Sequence, residues 1–186
     1  MFRMGIGLLL LIDLITRSRN LIAFYTDAGV LPRRALALDY GTVYSLHTLS
    51  GDAWFQALLF LVAGVFALLL LGGYHTRIAT LVSWLLLLSL QARNLMILHS
   101  GDHLLGLLLF WGIFLPLGAR WSVDAARDNR NGDRDGERSV VTSIASLALL
   151  MQVLVVYVTN AIFKRRGEPW MSGDALAMVY QVAHYT

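Results

Sequence analysis

The 186-residue sequence contains no cysteine. Disulfide scaffolds, thiolate metal sites, iron–sulfur clusters and cysteine nucleophiles are therefore excluded. Lysine is almost as scarce: Lys164 stands alone among 15 basic residues, and the rest are arginines. Charged residues make up 15% of the chain, against about 25% in a typical soluble domain. No Gly-x-Ser-x-Gly, P-loop or dinucleotide fingerprint is present, so ordinary hydrolase and nucleotide chemistry has no support. No repeat of 20 to 50 residues is visible, which removes support for an inverted-repeat transporter. What the chain has instead is apolar content, at 57% with a mean hydropathy of +0.62. That is membrane composition. The net charge of +3 and pI near 9.5 come from arginines scattered over every polar loop, which predicts no nucleic-acid partner.

A helix needs about 20 mostly apolar residues to cross a bilayer, with about 17 as a minimum. Trp54 to Leu71 carries no ionisable group and ends at Gly72-Gly73, and Ser139 to Phe163 is uncharged and long enough to cross with tilt. Ile78 to Ala92 continues through Arg93 and Asn94 to Leu98, a span carrying its arginine near one interface or paired inside a bundle. Leu104 to Ala119 is uncharged, and Pro116 near its end should terminate or kink the helix. Met4 to Thr16 is short and broken by Asp13, and without a small-residue cleavage site after it a clipped first span fits better than a signal peptide. The expected fold is all-α: a polytopic transmembrane helix bundle of about five spans plus a C-terminal amphipathic or partial helix. Arg17 to Ala53 is a long first loop in which Tyr40 to Leu49 suits the membrane interface, and residues 125–138 should be a polar flexible loop without chemistry. The positive charges divide almost evenly between the two sides, so orientation is left open.

Asp13 and Arg17 stand four apart and should pair on one helix face near the membrane boundary. Arg93 and Asp102 can meet at one membrane surface, either as a buried pair tying the third helix to the fourth, or as a site where the guanidinium fork holds an anionic or quinone-like headgroup. His99 and His103 have the spacing of helical metal ligands, but Ser100-Gly101 interrupts the helix and no third ligand lies nearby, so no metal site is expected. His47, His75 and His184 are isolated. Lys164 closes the longest span beside Arg165 and Arg166; it reads as an anchor at a helix C-terminus, or as a partly desolvated amine able to act as a general base.

The order of motifs carries more than any one of them. Tyr25-Thr26-Asp27-Ala28-Gly29-Val30-Leu31-Pro32 before Arg33, Ser45-Leu46-His47, Gly73-Tyr74-His75-Thr76-Arg77, Arg93-Asn94, Gly101-Asp102, Phe114-Leu115-Pro116-Leu117-Gly118 and Trp121-Ser122-Val123-Asp124 follow one another. This series resembles the HTTM family, the membrane domain shared with vitamin K-dependent gamma-carboxylase, from about Arg3 to the C-terminus. The resemblance implies a membrane-embedded bundle, a single HTTM-like domain over 1–186, and a lipid-soluble ligand such as a reduced naphthoquinone. It implies Lys164 as catalytic base, because Tyr157 to Trp170 looks like the carboxylase stretch holding its lysine; Arg93, Asp102 and His47 are the ligand-binding candidates. This chain has Phe163 where the carboxylase has a second lysine, its Gly101 falls where the carboxylase has a histidine, and it carries no large extramembrane domain. The family continues past Trp170 to Thr186, where Met171 to Ala175 looks like the start of another helix, so a C-terminally incomplete domain or a membrane-protein partner supplying further helices is expected beside the lipid bilayer. The alternative is a non-catalytic membrane scaffold or accessory subunit that packs against partner helices.

Overall fold

A computed structural model describes residues 1–41, 45–119, 121–130 and 144–181. Among these the chain is all-helical, with no strand, and it divides into two units, Met1–Val141 and Thr142–Thr186.

The first unit is built on four long helices: α1 (Phe2–Ser18), α4 (Ala53–Gly72), α5 (Thr76–Arg93) and α6 (Ser100–Phe114). Between α1 and α4 lie the short helices α2 (Leu21–Tyr25) and α3 (Arg33–Tyr40) and a 3-10 turn at Leu46–Thr48; α7 (Val123–Arg130) follows α6. The four long helices alternate in direction. The start of α1 meets the end of α4, where a Cβ on Gly7 would lie 3.1 Å from the Leu71 backbone, so the small residue lets the two helices touch. The end of α1 meets the start of α6 through Arg17 and Asp102. Ile6, Leu10, Ala67, Leu70, Ala79, Leu87, Leu105 and Leu109 form the shared core.

Sequence punctuation sets the helix ends. Gly73 takes φ 75°, its N–H donates to Leu69 and Leu70 oxygens, and Tyr74 N–H donates back to Leu69 O, which closes α4 in a Schellman-type turn. The helix α6 stops at Phe114 because Leu115 precedes Pro116 and is extended. The third apolar segment does not run to Leu98 as one helix. It ends at Arg93, where Asn94 turns extended, accepts from Met96 N–H and donates to Phe24 O. Ser100-Gly101 is not the interruption; it is the first turn of α6, and the break lies between Asn94 and His99. Residues 125–130 of the expected flexible loop are helical, while 131–138 lie outside the described residues.

The distribution of polarity is the reverse of a soluble bundle. Gln56, Thr80, Ser83, Ser89, Gln91 and Arg93 are buried, while Leu8, Ile12, Leu61, Val65, Ile78, Leu81, Leu85 and Leu107 are exposed. The helix α4 is long and apolar enough to cross a membrane; α5 is less apolar on average, and the polar residues that make it so, Thr80, Ser83, Ser89 and Gln91, are buried.

In the second unit, α8 (Ile144–Arg166) is the other helix long and apolar enough to cross a membrane, and none of its described residues is buried. Residues 139–143 of the span expected here lie outside the described residues. Gly167 leads into α9 (Glu168–Ser172), Gly173 at φ 87° ends it, and α10 (Ala175–Gln181) begins, in keeping with a helix start after Met171.

One end of the first unit is fastened by Asp124. Its carboxylate accepts from His75 N–H (2.9 Å), Thr76 N–H (2.9 Å) and the Thr76 hydroxyl (2.7 Å), capping α5 from a different helix and holding His75 at φ 43°. Burial works to raise this carboxyl, but the hydrogen bonds from Thr76 and His75 outweigh it and hold it below the usual carboxylate range. Asp124→Ala should cost about 1–2 kcal/mol, read as a lower melting temperature in detergent. The capping contribution is present above the unfolded carboxyl value near 4 and is lost as pH falls through the lower folded value, so the melting difference between Asp124→Ala and wild type should narrow only at strongly acid pH.

Candidate functional site

At the opposite end of the first unit, charged side chains converge inside an otherwise apolar bundle. Arg17, in the last turn of α1, donates from Nε to both Asp13 oxygens at 2.8 Å, from one terminal nitrogen to the Tyr25 hydroxyl at 3.0 Å, and from the other to Asp102 Oδ1 at 2.5 Å. The Asp13–Arg17 pair expected from the i, i+4 spacing is present. The same guanidinium also carries the link between the first and fourth long helices, through Asp102, whose side chain is 2% exposed.

Arg93 and Asp102 do not pair. The turn after Arg93 sends the chain away, and Arg93, fully buried, donates to Leu31 O at 2.8 Å and lies 3.4 Å from Asp27. Asp27 also accepts from Arg33 N–H at 3.0 Å and Arg33 Nε at 2.8 Å. Burial acts to raise the Asp27 carboxyl, but the Arg33 hydrogen bonds and the Arg33 and Arg93 charges hold it below the ordinary range. Arg93 thus pins the loop before α3 rather than tying α5 to α6.

His47 is buried on the 3-10 turn, so this part of the expected interfacial stretch packs inward; residues 42–44 lie outside the described residues. Its Nδ1 lies 2.7 Å from Gln56 Oε1, Gln56 Nε2 donates to His47 O at 2.9 Å, and His47 N–H donates to Ser89 Oγ at 3.1 Å. With Gln56 oxygen as acceptor, Nδ1 carries the imidazole proton. Desolvation, with Arg93 adding repulsion, lowers the His47 pKa against the opposing Gln56 bond, so the ring is held neutral.

His99 is not a helical partner of His103. It is the N-cap of α6: Asp102 N–H donates to His99 Nδ1 at 3.3 Å and His99 N–H donates to Asp102 Oδ2 at 3.0 Å. Among the described residues no cluster of three metal-ligating side chains forms. His184 lies outside the described residues.

Two spaces adjoin the Asp13–Arg17–Asp102 network. One is internal, about 20 Å³, the size of a single water, bordered by Asp13, His47 and by Ser83, whose Oγ has no hydrogen-bond partner. The other is an open groove of about 390 Å³ between α1 and α6. Leu9, Ile12, Leu104, Leu105 and Leu108 wall it, and Asp13, Thr16, His99 and Asp102 lie at one end. Its size falls in the range of small-molecule sites. Of the expected ligand-binding residues, Asp102 lines this groove, His47 lines the internal space, and Arg93 lines neither.

Lys164 belongs to the second unit. It is exposed in the last turn of α8, and its Nζ sits 4.4 Å from the centroid of the Trp170 ring. That cation–π contact and the helix C-terminus both suit an anchoring cation.

Sequence reasoning missed Asp27 and Gln56. The signal for Gln56 was available: a lone amide inside an uncharged span needs partners there, and it found them in His47 and Ser50.

Among the described residues the chain is all-helical, and two of its helices are long and apolar enough to cross a membrane. The HTTM domain family matches residues 1–185, so the chain belongs to the HTTM family, a membrane domain related to that of gamma-carboxylase. No curated protein and no solved structure matches it.

Arg17→Met should destabilise by about 3–5 kcal/mol, because it strands two carboxylates in apolar surroundings, and adding Asp102→Asn should recover part of that loss in the same denaturation assay. His47 gives a second test. The unfolded imidazole binds a proton as pH falls through about 6.5 while the folded ring, with its lowered pKa, does not. Stability should therefore fall with pH below about 6.5, by at most about 1.4 kcal/mol per unit, and His47→Gln should flatten that slope.

Proposed function

We propose that this chain is a five-span membrane domain that holds a lipid-soluble molecule in the groove between α1 and α6, its polar head at Asp13 and Asp102. The observation that carries the reading is the groove itself, with leucine and isoleucine walls and two carboxylates at one end. Exposed apolar faces on α1, α4, α5 and α6 support their all lying in lipid. The helix α1 has 17 residues, roughly 26 Å of rise, and α6 has 15, roughly 22 Å, so these two cross with their polar ends drawn toward the interface. A reduced naphthoquinone is the ligand that the family likeness suggests, and oxidation with Lys164 as base is the enzymatic form of this reading.

A second reading is favoured by α8. A 23-residue apolar helix with no buried position is a surface for lipid or for partner helices, which suits a non-catalytic scaffold or accessory subunit.

Full-length protein in lipid nanodiscs separates the two. A photoreactive reduced naphthoquinone should label α1 and α6, and Leu104→Trp, which fills an exposed part of the groove wall, should cut labelling at least about fivefold with the melting temperature retained. Quinol-dependent epoxide formation that is lost in Lys164→Ala supports the enzyme. Equal turnover by wild type and Lys164→Ala removes Lys164 from the chemistry, and no labelling together with a stoichiometric membrane partner favours the scaffold.

A further inference from the structure

The groove between α1 and α6 has a sign. Asp13 and Asp102 both line it, and Arg17, the one cation bonded to both, is not among its lining residues. All three guanidinium nitrogens are already engaged, Nε with Asp13 and the other two with Tyr25 and Asp102. Two carboxylates against one guanidinium leave the network one negative charge in excess.

The neighbouring groups do not cancel it. His99 Nδ1 lies 3.7 Å from Asp102 Oδ2 but accepts from the Asp102 N–H at 3.3 Å, so in this geometry it presents a lone pair there and donates no hydrogen to the carboxylate. The Thr16 hydroxyl donates to Ile12 O within its own helix. Gln91 donates from Nε2 to the Asp102 backbone oxygen at 2.9 Å and leaves the carboxylate charge untouched. Arg93 and Arg33 are engaged with Asp27, outside the groove. Of the two carboxylates, Asp13 is the more accessible, its side chain 21% exposed against 2% for Asp102.

We infer that the groove selects an amphiphile with a cationic head, an alkyl chain against the leucine wall and an ammonium group donating to Asp13. In the thin polar zone at the end of a membrane helix an excess carboxylate is costly without a counter-charge, and an ammonium supplies both the charge and the hydrogens that the site lacks. An anionic head would meet two carboxylates with no free guanidinium to receive it. This reverses the polarity expected of an arginine headgroup site. The inference rests on the groove being a ligand site and specifies the chemistry that it takes.

The test uses the full chain in zwitterionic nanodiscs with three photoreactive probes of one chain length, ending in a primary amine, an alcohol or a carboxylate. Labelling of α1 and α6 is read by peptide mass spectrometry. The amine should label about tenfold more than the carboxylate, with the alcohol between them. Asp13→Asn should bring the three probes to within about twofold of one another. Because Asp13→Asn removes a partner of Arg17, Leu104→Trp is run beside it; filling the groove should suppress all three probes while the melting temperature stays near wild type. Equal labelling by the three probes, or a preference for the carboxylate, overturns the charge selection and leaves the groove a lipid-soluble ligand site. Absence of labelling by every probe overturns the site and the selection together.

Discussion

Arg17 is the residue on which the first unit closes. The four long helices form a chain of antiparallel neighbours, α1 beside α4, α4 beside α5 and α5 beside α6, and a bundle requires the last to return to the first. The apolar contacts among Leu10, Leu105 and Leu109 are nondirectional and permit sliding. The guanidinium does not, because its planar fork must meet Asp13 on its own helix and Asp102 on α6 at once. In a lipid environment, where apolar surfaces lose nothing by separating into acyl chains, such a link specifies register more firmly than burial does. Asp102 is fixed in turn by capping its own helix through His99, so the position of α6 along α1 is set from both sides.

The helices themselves were legible because lipid imposes a plain rule on sequence, a long uncharged run, and α4 and α8 obey it. Gly73 and Pro116 marked the ends of α4 and α6 for equally local reasons. The pairing of charges was not legible. Asp13 and Arg17 share a helix and were found by spacing, but Arg17 meets Asp102 across 85 residues and Arg93 meets Asp27 across 66. A separation of nine positions between Arg93 and Asp102 suggested proximity. The extended Asn94 and the 3-10 turn after it rotate the chain so that Arg93 faces the loop before α3 while Asp102 faces α1. Loop geometry of this kind leaves little periodic trace in sequence. The polar residues of α5 left no clear signal of their own, since an average over the helix hides that Thr80, Ser83, Ser89 and Gln91 all turn inward.

The two ends of the unit use charge differently. At the Asp124 end the carboxylate takes the free N–H groups at the start of α5, and Arg3 is close enough for its charge to feel Asp124 while it donates to Trp121 O and leaves its buried Nη1 without a hydrogen-bond partner. These hydrogen bonds fasten α1, α5 and the segment leading into α7. At the Asp13 end the Asp27 group holds two arginines to one carboxylate and binds them to loop carbonyls, whereas the Arg17 group holds two carboxylates to one arginine and turns them toward an open groove. The carboxylates of the second imbalance themselves line a groove large enough for a ligand.

That asymmetry also orders the candidate residues. Arg93 has the chemistry of a headgroup receptor, but complete burial and the Leu31 carbonyl give it a structural position. His47 is neutral and engaged by Gln56 and Ser89, which makes it a fastening for the loop before α4. Asp102 lines the groove, and Asp13 joins it while also bordering the small internal space beside His47 and Ser83. Asp13 is therefore the one ionisable side chain in contact with both the groove and the interior, so a change of charge at the groove is felt first by the residue that holds Arg17, and through Arg17 by the contact that closes the bundle.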